Sequence, residues 1–103
     1  DYQHDALAQR TIQSLATTPT LGYAESCRAL AQADLSTQIQ QIQIPTLVIA
    51  GAFDPVTTVA DGVFMQQQIQ KSELAVIDAS HLSNIEQPEL FNKTLSQFIG
   101  SLQ

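Results

Sequence analysis

A chain of 103 residues is one domain at most, and chains of this size bury roughly 60–70% of their unfolded surface, enough for a modest core. Apolar residues make up 44% and charged residues 14%, the balance of a globular protein. The formal net charge is -6, with Arg10, Arg28, Lys71 and Lys93 as the only cations; they make no basic stripe, so neither nucleic acid nor an anionic membrane surface is an expected partner.

The chain opens at Asp1, and its only methionine, Met65, falls in the middle of a predicted helix, so the sequence is expected to be a piece of a longer protein. Ala6, Leu7, Ile12, Leu15 and Ala16 form a loose helical stripe over residues 4–16, where His4 reads as solvated. Thr17-Thr18-Pro19-Thr20 breaks it. A second helix is predicted from Leu21 to Gln32, with Tyr23, Cys27, Leu30 and Ala31 on one face. That stripe makes Cys27 a small core residue rather than a nucleophile. As the only cysteine, it forms no internal disulfide, which fits a reducing, cytoplasmic location. No apolar run approaches the roughly 20 residues of a membrane span. After the turn at Ala33–Ser36, Leu35, Ile39 and Ile42 suggest a short helical stretch capped by Asp34 or Ser36.

The texture then changes. Thr46 to Ala50 is a continuous apolar run ended by Gly51, the pattern of a strand buried on both faces. Thr58 with Asp61 reads as a helix start, and Val59, Val63, Phe64 and Ile69 carry helical spacing toward Gln70. Leu74–Ile77 is a second buried strand. Ser83-x-x-Glu86 reads as a capping box, and Pro88 opens a closing helix striped by Phe91, Leu95, Phe98 and Leu102. The order helix, helix, strand, helix, strand, helix contains one βαβ unit, whose strands should be parallel. Two parallel strands are a poor free-standing sheet, so further strands are expected from outside this sequence.

Two residues stand where chemistry is done. Asp54 follows the first strand and His81 follows the second, and neighbouring parallel strands present their carboxyl ends on one edge of the sheet. A buried carboxylate accepting the imidazole Nδ1–H would fix the tautomer and leave Nε2 free as a base. Each residue alone also reads as an ordinary loop residue. Asp78 competes for the acid role but lies on the same strand tail as His81, and Asp61 is better explained as a helix N-terminal anion. Ser80 and Ser83 flank His81 without the sharp strand-to-helix turn that exposes a nucleophile, and no G-x-S-x-G elbow occurs in the sequence.

Pro45-Thr46-Leu47-Val48-Ile49-Ala50-Gly51 with Asp54-Pro55-Val56-Thr57, Asp61-Gly62 and Ala79-Ser80-His81-Leu82-Ser83-Asn84-Ile85-Glu86 resembles the C-terminal part of an α/β-hydrolase. With Gly22–Leu30 and Ala33-Asp34-Leu35, the resemblance narrows to the 3-oxoadipate enol-lactonase family of the β-ketoadipate pathway. It implies an α/β fold in which residues 1–35 end a helical cap and residues 36–103 form the C-terminal part of the core. It also implies Asp54 as triad acid, His81 as general base, a serine nucleophile outside this chain, a small lactone or ester as substrate, and no metal or organic cofactor. An esterase, a C–C bond hydrolase or a cofactor-free haloperoxidase on the same fold is an alternative, as is a non-catalytic module that binds a partner. The 103 residues alone are expected to be inactive, and to pair with the missing N-terminal part or self-associate through exposed strands.

Overall fold

The computed structural model describes residues 5–102, which form two compact units dividing between Asp34 and Leu35. His4 lies outside the described residues.

The first unit holds two helices, α1 (Ala6–Ala16) and α2 (Thr20–Gln32). Asp5 caps α1 by accepting from the amides of Leu7 and Ala8 at 2.8 and 3.2 Å, which satisfies two of the orphan donors at a helix start. At the other end, Thr17 turns its hydroxyl back onto the carbonyls of Gln13 and Ser14. Pro19 stands at the N-cap of α2, so the proline that ends one helix also starts the next, one residue earlier than the pattern predicts. Glu25 and Arg28 form an ion pair one turn apart. Neither helix buries a residue, and Cys27 is exposed. The expectation of a core cysteine is therefore corrected: a helical stripe buries its residues only where another surface covers it.

The second unit is built on the βαβ unit. The short helical stretch expected toward Ile42 is a 3-10 turn (Gln38–Gln41), with Thr37 at its start making no side-chain cap. Strands β1 (Thr46–Gly51) and β2 (Ser72–Ile77) pair in parallel, in register from Thr46–Ser72 to Gly51–Ile77, as the only sheet among the described residues. The second strand is two residues longer than its apolar run, since the ladder includes Ser72 and the exposed Glu73. Helix α3 (Val59–Gln68) crosses over between them. Thr58 and Asp61 form its capping box, with the Thr58 amide 2.9 Å from Asp61 Oδ2 and the Asp61 amide 3.4 Å from Thr58 Oγ1.

Burial is uneven along the two strands. Val48 and Ala50 point at α3, and Gly62 lets that helix approach them; Ile77, on the opposite face by the alternation of the ladder, is the most buried strand residue, and Ile69 and Ala79 complete the small core. The alternate residues Leu47 and Ala75 are half-buried beside α5 (Pro88–Ser101), and Val76, on the same side as Ala50, is exposed. Burial of both strands on both faces is thus not reached. The short helix α4 (Ser83–Glu86) precedes α5, whose first residue is Pro88. The expected Ser83–Glu86 capping box does not form: Leu82 stands at the N-cap, Ser83 is buried, and Glu86 Oε2 accepts instead from the Ser80 amide at 2.9 Å. No helix among the described residues is long and apolar enough to cross a membrane.

Beyond their last ladder pair the two strand tails stay joined. The Ala52 amide donates to Ile77 O at 2.8 Å and the Phe53 amide to Ala79 O at 3.0 Å. A Cβ on Gly51 would overlap the carbonyl oxygens of Ser80 and Ala79, which are backbone and cannot step aside. A Cβ on Gly62 would meet the mobile end of Leu74 at 3.1 Å and Ala50 Cβ at 3.3 Å. In the full-length protein, Gly51→Ala should therefore cost about 3 kcal/mol, the upper end of ordinary overpacking. Gly62→Ala should stay within about 1 kcal/mol, because crowding is offset by better helix propensity. Urea denaturation of both variants checks the order, and equal costs would contradict it.

Candidate active site

The joined strand tails decide where the two candidate residues lie. Asp54 follows β1 by three residues, in a turn closed by its own amide donating to Gly51 O at 3.2 Å. Its Oδ1 accepts from the amides of Val56 and Thr57 at 3.0 and 3.1 Å, an Asx-type turn that holds the carboxylate by its own backbone. His81 follows β2 by four residues, in a loop pinned at Ser80 by Glu86. The two side chains meet: His81 Nδ1 is 2.8 Å from Asp54 Oδ2.

Their exposures are opposite. The Asp54 side chain is 3% exposed and the His81 side chain 70%. The acid is sheltered and fully hydrogen-bonded, whereas the ring has a face and an edge turned outward. An imidazole anchored through Nδ1 on a carboxylate keeps Nε2 free to take a proton from an acidic group brought against it.

A third side chain that the sequence reading did not single out completes the cluster. Thr57 Oγ1 donates to Asp54 Oδ2 at 2.6 Å and lies 2.9 Å from His81 Nδ1. Its signal was available, since a hydroxyl residue three positions after a turn aspartate falls within reach of that carboxylate. The Asp54 carboxyl is held well below the usual carboxylate range. The Thr57 hydroxyl is the largest cause, followed by the Val56 amide; burial opposes them, and the His81 ring and Thr57 amide add to the lowering.

The other candidates stay apart from this pair. Asp78 is exposed, with its carbonyl accepting from Gln87 Nε2 at 3.4 Å. Asp61 is occupied in the α3 cap. Ser80 contributes its amide to Glu86, and Ser83 is buried in α4. A cleft of about 210 Å³ opens on the pair, lined by Gly51, Asp54, Thr57 and His81 among others. A larger groove of about 530 Å³ lies between β2 and α5, with Glu73 as its only ionisable lining residue among those described. Chemistry, rather than size, selects the smaller one.

A model of the alpha/beta hydrolase fold matches residues 5–88. Two curated proteins of Acinetobacter baylyi are similar to the chain: 3-oxoadipate enol-lactonase 1 is 62% identical over all 103 residues, and 3-oxoadipate enol-lactonase 2 is 54% identical over 86 residues, 84% of the chain. The chain spans 39% of the length of the first and 32% of the second, and it corresponds to the C-terminal part of the first. Among solved structures, a hydrolase from Pseudomonas aeruginosa superposes with a TM-score of 0.89 at 36% identity, over 94% of this chain and 37% of that one. The enol-lactonase from Burkholderia xenovorans superposes with a TM-score of 0.80 at 35% identity, over 94% and 40%.

The lowered Asp54 carboxyl makes a prediction about acid stability. A carboxyl whose folded pKa lies below its unfolded value of about 3.9 stabilises the fold fully above that pH. The contribution disappears as pH falls through the lowered folded value. In the full-length protein, the stability difference between wild type and Asp54→Asn should be flat above about pH 5 and shrink below about pH 4. Chemical denaturation across this range measures it, and a difference unchanged down to about pH 2 would contradict the assignment.

Proposed function

The chain belongs to the alpha/beta hydrolase fold family, and on that premise we propose that it supplies the acid and base of a Ser-His-Asp triad in a lactone hydrolase. The substrate proposed is 3-oxoadipate enol-lactone, supported by the two relatives that carry that activity in their names. The observation that carries the reading is the 2.8 Å contact between a sheltered carboxylate and an exposed imidazole at the ends of adjacent parallel strands. The chain order is Asp then His, as in this family, with the serine expected upstream of these residues.

In this mechanism Asp54 accepts the Nδ1–H of His81, and Nε2 takes the proton of the serine hydroxyl as its oxygen attacks the lactone carbonyl. Asp54 stabilises the imidazolium without taking its proton. The tetrahedral intermediate collapses by breaking the ring C–O bond, and the imidazolium returns its proton to the departing enolate oxygen. Water then attacks the acyl-enzyme, giving its proton to Nε2, and the serine is released with the proton back on its oxygen. The ring-opened enol tautomerises to the ketone. The lactone gains one water and no oxidant or reductant is consumed.

Only the neutral imidazole accepts the serine proton, so turnover should rise with pH on its acid limb. In the full-length protein, Asp54→Asn should lower kcat on the order of 10⁴-fold, because the imidazole adopts the wrong tautomer. His81→Ala should cost at least as much, and the exposed Asp78→Asn less than about tenfold. Steady-state lactone hydrolysis by folded variants measures all three. If Asp78→Asn were the more damaging aspartate change, the acid assignment would fall even with the family unaltered.

A further inference from the structure

We propose that Glu86 is a positioning residue: its carboxylate, acting through the Ser80 amide, sets where the ring of His81 stands and so where Nε2 meets a hydroxyl. The inference rests on the reading of Asp54 and His81 as triad acid and base. It starts from how little else holds the histidine. The His81 side chain is 70% exposed, and both of its polar contacts, to Asp54 Oδ2 at 2.8 Å and to Thr57 Oγ1 at 2.9 Å, are made at Nδ1. Contacts gathered at one corner of a ring make a pivot. They fix Nδ1 and leave the far edge, with Nε2, to swing as the ring rocks about them. What limits that swing is the other end of the side chain, its attachment to the backbone at residue 81.

That backbone is a short span between two held points. On the strand side, the Phe53 amide donates to Ala79 O at 3.0 Å, and Gly51 lies against the Ser80 carbonyl. On the helix side, Leu82 O accepts from the amides of Ile85 and Glu86, both at 3.0 Å. Between these points stand the amides of Ser80, His81 and Leu82. Only the Ser80 amide finds a protein acceptor among the described residues, and that acceptor is Glu86 Oε2 at 2.9 Å. A carboxylate acceptor makes this one of the stronger kinds of hydrogen bond. It ties residue 80 to residue 86 and so closes a ring of chain that contains the histidine. The α4 turn holds Glu86, Glu86 holds the Ser80 peptide, and that peptide carries His81. Ser80 and Glu86 are both exposed, so water replaces either partner when the other is lost. Breaking the bond therefore costs the fold little and the loop its geometry.

The test uses full-length protein bearing three substitutions. Glu86→Gln keeps an oxygen acceptor at the same reach and removes the charge. Glu86→Asp keeps the charge on a shorter arm, and Glu86→Ala removes both. Misplacing a catalytic group by about 1 Å costs up to about 10²-fold, so Glu86→Ala and Glu86→Asp should lower kcat about 10- to 100-fold with KM within about twofold. Glu86→Gln should stay within about threefold of wild type, because an amide oxygen still accepts from Ser80. Hydrogen exchange at the Ser80 amide reads the bond itself, and it should be faster in Glu86→Ala and Glu86→Asp than in wild type and Glu86→Gln. Wild-type kcat in a folded Glu86→Ala with a faster Ser80 amide would overturn the proposal. So would a crippled Glu86→Gln beside a near-normal Glu86→Asp, which would make the charge rather than the bond responsible. Should Glu86→Ala fail to fold, equal kcat values for Glu86→Gln and Glu86→Asp would overturn it. Asp54→Asn and His81→Ala assayed alongside separate the two claims. If they cripple turnover and Glu86→Ala does not, only the role of Glu86 falls; if they are harmless, the triad reading falls with it.

Discussion

The site depends on how closely two strand ends can approach. Parallel pairing puts Gly51 opposite Ile77, and the amides of Ala52 and Phe53 continue the pairing onto Ile77 and Ala79 after the ladder ends. The approach is so close at Gly51 that no side chain fits against the Ala79–Ser80 backbone. Asp54 lies three residues beyond this point on one strand and His81 two beyond Ala79 on the other. Neither side chain has far to reach, and little freedom is left to lose when they meet. Function here begins with a hydrogen that a glycine has in place of a Cβ.

The electrostatics follow from that geometry. A carboxylate with a side-chain exposure of 3% would be costly to keep charged if it were bare. Instead two amides and a hydroxyl from the next three residues hold it, in addition to the imidazole. Hydrogen bonding outweighs desolvation, which is why the carboxyl titrates below its usual range. The imidazole keeps most of its surface outside and contributes only Nδ1 to the cluster. A charge fixed in place beside a ring that is free on its other edge is the division of labour that proton transfer needs. From α4, Glu86 ties down the amide just before His81.

Much of this was legible from residue order. Asp54 and His81 are recognisable because each follows an apolar run of strand length, and strand ends are a reliable guide to where side chains converge. The α3 cap was readable because both partners lie within one turn of chain. What stayed hidden depended on three-dimensional surroundings. Cys27 occupies an apolar stripe, yet burial depends on what covers α2, and none of its residues is buried. Glu86 has the right spacing for a capping box with Ser83, but the Ser80 amide takes its carboxylate. Thr57 is an unremarkable loop threonine until the fold brings His81 to within 2.9 Å of its hydroxyl.

The central claim is that His81 Nε2 serves a serine supplied from outside these residues, and one structure decides it. Full-length protein treated with a serine-directed phosphonate should carry the label on one serine. In the unlabelled crystal, the Oγ of that serine should lie about 2.6–3.2 Å from His81 Nε2, or somewhat farther without substrate. A labelled serine remote from His81, or an Nε2 facing no hydroxyl at all, would contradict the account.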